Sequence, residues 1–481
     1  MSTKLLEKYP DLKPDQAQEL AEKLVKARAV QKIIERYDQA YIDKLCQAMA
    51  WAVSNKKTFL GLVDMSIQES RMGDYETRGN KRFKIRGILR DCLRQPSVGV
   101  IEELPEKGIV KYAKPVGLIG CVVPATNPDL TPAGNAIYAV KARNVIIFSP
   151  HPRGKKTCFE TVRLMREAIE KLGAPADILQ CLESANVPMA QALMAESDLV
   201  IATGGQGVVR RAYASGTPAY GVGAGNSTMI IDETAMQNLK ECANNTMLSK
   251  TSDFGSGCSA DGNLLVHEDV FEPLKEALVA EGGYLMSSGE QAAMKKVMWD
   301  EDCKRNGETC ALSPQEMAKA AGFEIPADRK FLIAQSDGIG EGYEHAFCRE
   351  KITTLLTMHC YGRDFENAVT MMRAIYDVGG IGHSVGVYSF NDDHIHRVAM
   401  VAPVGRMMIR QPQSKANAGS FTNGMPMTST LGCGTWGGNA TSENVALRHY
   451  MNVTWVSVPT PEDKPTDQEL FGEFYDAAME V

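Results

Sequence analysis

The chain has 481 residues, 44% hydrophobic and 23% charged, with acids and bases interspersed to a net charge of −7. That length calls for roughly two to four domains rather than one simple core. The absence of any basic run or aromatic-basic stripe excludes a nucleic-acid partner, and no apolar stretch approaches the roughly 20 residues of a membrane span.

The N-terminal MSTKLLEKYPDLKP is polar and has no apolar core of a secretory signal, so the expected location is the cytoplasm. Residues 17–54 then carry apolar positions every three or four residues without a proline, and the first hundred residues are expected to be helical. SVGVIEELPEKGIVKYAKPVG, 97–117, differs: two β-rich runs flank the turn-like LPEKG, which predicts a hairpin suited to an oligomer interface.

From residue 116 strands and helices alternate. VGLIGCVVP suits a strand buried on both faces, TPAGNAIYAVKARN a helix with Pro132 in its first turn, and VIIFSP the next strand. KKTCFETVRLMREAIEKLGAP is an amphipathic helix stopped by Gly173 and Pro175, followed by ILQCL, the helical VPMAQALMAES and LVIATGG. This rhythm predicts an α/β fold with a doubly wound parallel sheet. A second alternating region runs from about 241 past 400, with strands such as NLLVHE, ITTLLTMH and VGVYSF. The Gly- and Thr-rich tail from about 424 becomes strand-like again in HYMNVTWVSVP.

Several stretches have the residue types for chemistry. In IATGGQGVVRRA a strand runs into Gly204, Gly205 and Gly207 before a helix opens, an arrangement that lets backbone N–H groups approach a pyrophosphate or simply makes a tight turn. HPRGKKT is not a P-loop, because Ser149 stands where the first glycine is required; it could still line an adenosine ribose. Asn127, in VPATNPDLTP, is either a helix cap or an amide aimed at an oxyanion. AYGVGAGNSTMII forces a tight backbone passage before a strand. Twelve cysteines are scattered from Cys46 to Cys433 with no C-x-x-C pair, and most should be buried and inert. Cys258, in TSDFGSGCSADGN, has the backbone-exposing surroundings a reactive thiol needs. The eight histidines offer only HIH at 394–396 and the His359–Cys360 pair, and no metal site is expected.

Taken in order, ATNP, IIFSPHPR, IATGGQG, AYASG, GVGAGN, the cysteine loop, REKITTLL and LGCGTWGGNATSEN resemble the CoA-acylating branch of the aldehyde dehydrogenase superfamily over about residues 90–455. The match is to the aldehyde dehydrogenase half of bifunctional aldehyde–alcohol dehydrogenases, and an end at Val481 leaves no room for the iron-dependent half. The resemblance implies a Rossmann-type cofactor domain, helical over 1–96 and dinucleotide-binding over 118–240, with an oligomerisation hairpin at 97–117. A second α/β catalytic domain would occupy 241–423, and 424–481 would return to the cofactor domain and the oligomer interface.

By the same resemblance Cys258 is the nucleophile, and Asn127 with the Cys258 N–H holds the oxyanion. Glu350 falls at the nicotinamide ribose, Ser149, His151 and Arg153 near the adenosine ribose, and Gly204 and Gly205 at the pyrophosphate. His383, in GGIGHSVG, assists thiol transfer, lines the pocket or has a structural role. Hydrolytic members have a glutamate base in an ELGG motif where this chain reads GVGAGN, so the expected acceptor is coenzyme A rather than water. The implied reaction is oxidation of a small aldehyde by NAD or NADP to its acyl-CoA, without a metal, in a dimer or tetramer in the cytoplasm or inside a bacterial microcompartment. Acetaldehyde is the default substrate; sulfoacetaldehyde and succinate semialdehyde are the alternatives.

The cysteine loop departs from the acetaldehyde pattern at Ser256, Gly257, Asp261 and Gly262, which points to those positions for substrate choice. Lys415 in QSKANAG is the cation available to an anionic substrate. Two other classes fit less of the chain: a hydrolytic dehydrogenase, which would not need CoA, and a non-catalytic nucleotide-binding or shell-cargo protein, which would be indifferent to loss of Cys258.

Overall fold

In the computed structural model, which describes residues 1–479, the sequence segregates into three sheets. Five parallel strands form the first, in the order Leu179–Cys181, Val145–Ser149, Leu118–Val122, Leu199–Thr203 and Ala219–Val222. Its central strands are apolar at nearly every position because helices cover both faces, so no polar alternation is possible. The chain enters the sheet in the middle at Leu118–Val122, winds out to Leu179–Cys181 and then crosses back to Leu199–Thr203, which opens a crevice at the C-terminal strand ends beside Leu118–Val122. The expected α/β fold with parallel sheets is therefore present.

The second sheet has seven parallel strands: Gly283–Leu285, Phe331–Gln335, Leu355–Cys360, Asn263–Val266, Thr228–Ile231, Val385–Tyr388 and Met407–Ile409. The third is small and antiparallel. Gly99–Leu104 and Ile109–Pro115 make the expected hairpin, and Met451–Ser457 adds a third strand to its Ile109–Pro115 edge. Exposed Val453, Trp455 and Val456 lie on that added strand.

The helical N-terminal region packs on the five-stranded sheet. The continuous period over 17–54 is two helices, Pro14–Ile34 and Gln39–Ser54. The break falls at Asp38, whose carboxylate accepts the Tyr41 N–H at 2.8 Å and starts the second helix. Apolar spacing alone does not see such a cap. HIH lies in a helix, Asp392–Val401, and His359 is buried between Ser336 and Asn263. No described helix is long and apolar enough to cross a membrane.

Candidate active site

A cleft of about 1130 Å³ opens at the C-terminal strand ends of the five-stranded sheet, against the loop that carries Cys258. Cys258, Asn127, Ser149, His151, Gly204, Gly205 and Glu350 all line it, although they are spread over more than 200 residues of sequence. Eight of the twelve cysteines are buried; Cys258 is partly exposed, at the cleft floor.

The loop that delivers Cys258 follows the helix Leu239–Thr251. Asp253 and Phe254 take left-handed backbone angles, φ 51° and 49°, a costly turn for residues with side chains. Asp253 stabilises it by gathering donors. Its Oδ1 accepts the Asp74 N–H at 3.0 Å, and its Oδ2 accepts the Ser256 hydroxyl at 2.6 Å and Lys81 Nζ at 2.5 Å. The Ser256 hydroxyl is thereby committed to the loop itself. Asp261 is not a pocket residue. It lies behind the wall, buried, with Oδ1 accepting from Gln413 at 2.5 Å and Oδ2 unpartnered, and burial pushes its carboxyl up to about 6.

His383 Nε2 lies 3.0 Å from the Cys258 sulfur, and Nδ1 lies 2.8 Å from Ser384 Oγ. Burial, with Arg406 adding to it, pushes the imidazole down to about 3, so the ring is neutral. A neutral ring that donates to Ser384 leaves Nε2 to accept the thiol proton. Burial also pushes the Cys258 thiol up to about 12, with Glu350 adding to the rise and Arg406 opposing it. The resting pair is thus thiol and imidazole, not thiolate and imidazolium. Glu350 is itself pushed up to about 8 by burial, against the opposing Gly225 N–H that donates to its Oε1 at 3.0 Å.

The sign of the Glu350 effect is testable. At pH 9 its carboxylate opposes a neighbouring thiolate, so Glu350→Gln should lower the thiol pKa and raise the thiolate fraction. Alkylation of Cys258 by iodoacetamide at pH 9 is expected to quicken about three- to tenfold, half to one pKa unit. An unchanged rate would mean the two groups are not coupled.

GVGAGN runs directly behind the cysteine. A Cβ on Gly225 would stand 2.2 Å from the Cys258 carbonyl oxygen, so no side chain fits there. On the other wall Asn127 follows the strand Leu118–Val122, its Oδ1 accepting Lys81 Nζ at 2.6 Å. Beneath it Arg78, fully buried, donates to Asp129 Oδ2 at 3.1 Å and to the carbonyl oxygens of Thr126 at 3.0 Å and Met72 at 3.3 Å. Its Nη1 also lies 3.5 Å from Asp253 Oδ2. Arg78 and Lys81 were invisible in the sequence. Their acidic partners lie 51 and 172 residues away, and an ordinary basic N-terminal helix gives no signal of burial.

At the far end the cleft fits a dinucleotide. The helix Gln206–Tyr213 has Gly205 as its cap residue with no side-chain capping bond, leaving first-turn N–H groups for a pyrophosphate. Thr203 Oγ1, on the strand just before, is buried without a partner and faces the same cleft. Arg153 stands apart from the predicted set. Its guanidinium donates to the Ser70 carbonyl at 2.6 Å and pairs with Glu308 at 3.2 Å, and it does not line the cleft.

A cysteine and an amide facing one cleft, beside a dinucleotide-shaped crevice, define the class. The chain belongs to the aldehyde dehydrogenase family, whose model matches residues 16–295. It is 38% identical over 454 residues to the sulfoacetaldehyde dehydrogenase of Acholeplasma sp, covering 93% of each chain. The succinate-semialdehyde dehydrogenase (acetylating) of Clostridium kluyveri is 36% identical over 456 residues, 94% of this chain and 99% of that one. The crystal structure of an acetylating aldehyde dehydrogenase from Geobacillus thermoglucosidasius superposes with a TM-score of 0.89 at 32% identity, covering 94% and 99% of the two chains. Within the family, this chain is an acylating aldehyde dehydrogenase.

Proposed function

We propose that the protein oxidises a short aldehyde with an anionic end group, sulfoacetaldehyde first, to its CoA thioester, with NAD or NADP as oxidant. The observation that carries the anionic preference is the set of cations on the substrate side of the cleft. Lys81, Lys84 and Lys415 all line it. Lys81 is engaged by Asn127 and Asp253, and Lys84 Nζ donates to the carbonyl oxygens of Ala418 and Gly419. Lys415 has no carboxylate partner among the described residues, and Ser414 and Ser420 line the cleft with it. A sulfonate or carboxylate would give that ammonium its counter-ion. The sulfoacetaldehyde and succinate-semialdehyde enzymes among the relatives favour the same reading over the acetaldehyde default.

In the proposed reaction the Cys258 proton passes to His383 Nε2 as sulfur attacks the aldehyde carbon, and the carbonyl electron pair moves to oxygen. Asn127 Nδ2 and the Cys258 N–H donate to that oxyanion. The bound nicotinamide supplies the hydride acceptor. The thioester left on Cys258 faces no ready carboxylate base: GVGAGN has none, and Glu350 is mostly protonated at neutral pH. A thiol ionises more easily than water, so CoA is the better acceptor.

The test is a spectrophotometric assay of acetaldehyde, sulfoacetaldehyde and succinate semialdehyde, with and without CoA, using NAD and NADP. NAD(P)H should form only with CoA, with the highest kcat/KM for sulfoacetaldehyde. Lys415→Ala should lower kcat/KM for sulfoacetaldehyde by about 10- to 100-fold, as expected on losing a hydrogen bond to a charged group, and leave acetaldehyde unchanged. Equal NAD(P)H without CoA would reject acylation, and equal loss on both aldehydes would reject Lys415 as the anion partner.

A further inference from the structure

We propose that Lys81 is a positioning residue that fixes which end of the Asn127 amide meets the oxyanion. The inference rests on the preceding reading of Cys258 as nucleophile and of Asn127 as oxyanion donor.

A primary amide has two opposite ends of nearly the same shape. Rotated by 180°, Asn127 would present an oxygen lone pair to the cleft and repel the oxyanion it is meant to hold. Its position in the fold does not prevent that rotation; its hydrogen bonds do. The Lys81 ammonium is a donor with no lone pair, so the atom it meets at 2.6 Å must be Oδ1. That leaves Nδ2 free of the ammonium. Its only described contact is a long 3.4 Å one to Thr126 Oγ1, so its donor capacity remains for a ligand in the cleft. In the rotated form the N–H groups would face the ammonium, donor against donor.

Lys81 is held in its turn. Its Nζ lies 2.5 Å from Asp253 Oδ2, the same oxygen that accepts the Ser256 hydroxyl two residues before Cys258. Arg78 approaches that carboxylate from below at 3.5 Å and also holds the Thr126 carbonyl beside Asn127. One ammonium therefore joins the loop that carries the nucleophile to the loop that carries the oxyanion donor, and sets their relative placement. Lys81 touches no reacting atom; it acts through Asn127.

The experiment uses p-nitrophenyl acetate and the pre-steady-state burst of p-nitrophenolate. In that step the Cys258 sulfur bonds to the acetyl carbon and the carbonyl pair moves to oxygen. The pair then returns as p-nitrophenolate leaves, with the thiol proton taken by His383. The burst needs an oxyanion donor but neither CoA nor a nicotinamide, so it remains readable if the aldehyde reading fails.

Asn127→Ala and Lys81→Met should each slow the burst by about 100-fold, the usual cost of losing one oxyanion donor. The double variant should be no more than about twofold slower than Asn127→Ala alone, because Lys81 has nothing left to orient. Lys81→Met leaves Asp253 short of a buried partner, so Lys81→Met with Asp253→Asn removes both charges together. That pair should remain folded by thermal melting and stay slow. Multiplied losses in the Lys81/Asn127 double variant would overturn the proposal, as would a wild-type burst in Lys81→Met. Recovery of the burst in the Lys81/Asp253 pair would also overturn it, since Lys81 would then only neutralise Asp253. A wild-type burst without CoA-dependent NAD(P)H formation would reject the aldehyde reading and leave the role of Lys81 standing. A burst that survives Cys258→Ala would reject both.

Discussion

Cys258→Ala is expected to reduce CoA-dependent NAD(P)H formation by about 10⁴-fold or more, the scale seen when a covalent nucleophile is removed from a site whose parts act as a unit. No other cysteine lines the cleft. The neighbouring cysteines Cys348 and Cys433 are buried, and the exposed Cys360 lies at the end of its strand outside the cleft. Ser149, His151 and the Thr203–Gly205 turn, which line the far end of the cleft and are proposed to hold the dinucleotide, are left alone by the substitution. Binding of NADH or NADPH, followed by fluorescence, should therefore persist with a Kd within about twofold of wild type, while turnover disappears. Retained turnover would remove Cys258 from the mechanism and favour a nucleotide-binding protein without this chemistry.

The largest stability effect is expected at Arg78. It is fully buried, as is its partner Asp129, and it makes four hydrogen bonds to three separate segments of chain. Removing one member of such a buried pair leaves the other charge without compensation, which costs about 3–5 kcal/mol. Arg78→Ala should lower the thermal unfolding midpoint accordingly, measured by calorimetry at pH 7. The pH dependence has a definite sign. Although burial alone would raise it, the Asp129 carboxyl is held below its ordinary value by the Arg78 guanidinium. Its contribution is present above the unfolded-state carboxyl pKa of about 3.9 and is lost as pH falls through the lower folded value. The gap between wild type and Arg78→Ala should thus narrow in acid. A constant gap down to pH 2 would mean that Arg78 stabilises by packing and backbone hydrogen bonds alone.

The five-stranded parallel sheet and the candidate nucleophile were legible because each signals locally. VGLIGCVVP and VIIFSP are apolar throughout, which only strands covered on both faces can be. Cys258 stood out among small residues, and of its GSG neighbours Ser256 and Gly257 line the cleft. Asp261 misled because it is close to Cys258 in sequence; the chain reverses after Ala260 and carries the carboxylate behind the wall to Gln413. Arg153, which the resemblance puts near the adenosine ribose, is held instead by Ser70 and Glu308, partners more than 80 residues away in sequence. Lys81, Arg78 and Asp253 form a network whose members belong to different sequence neighbourhoods, and no spacing rule joins them.

The contact between Gly225 and the Cys258 carbonyl bears on how such an enzyme could change its acceptor. Hydrolysis would need a carboxylate beside the acyl sulfur, yet the backbone at 225 is flush against the cysteine and leaves no volume for a side chain. A one-residue exchange there would have to displace the nucleophile in order to add the base. At that position the exclusion of a base is a property of how two stretches of main chain pack.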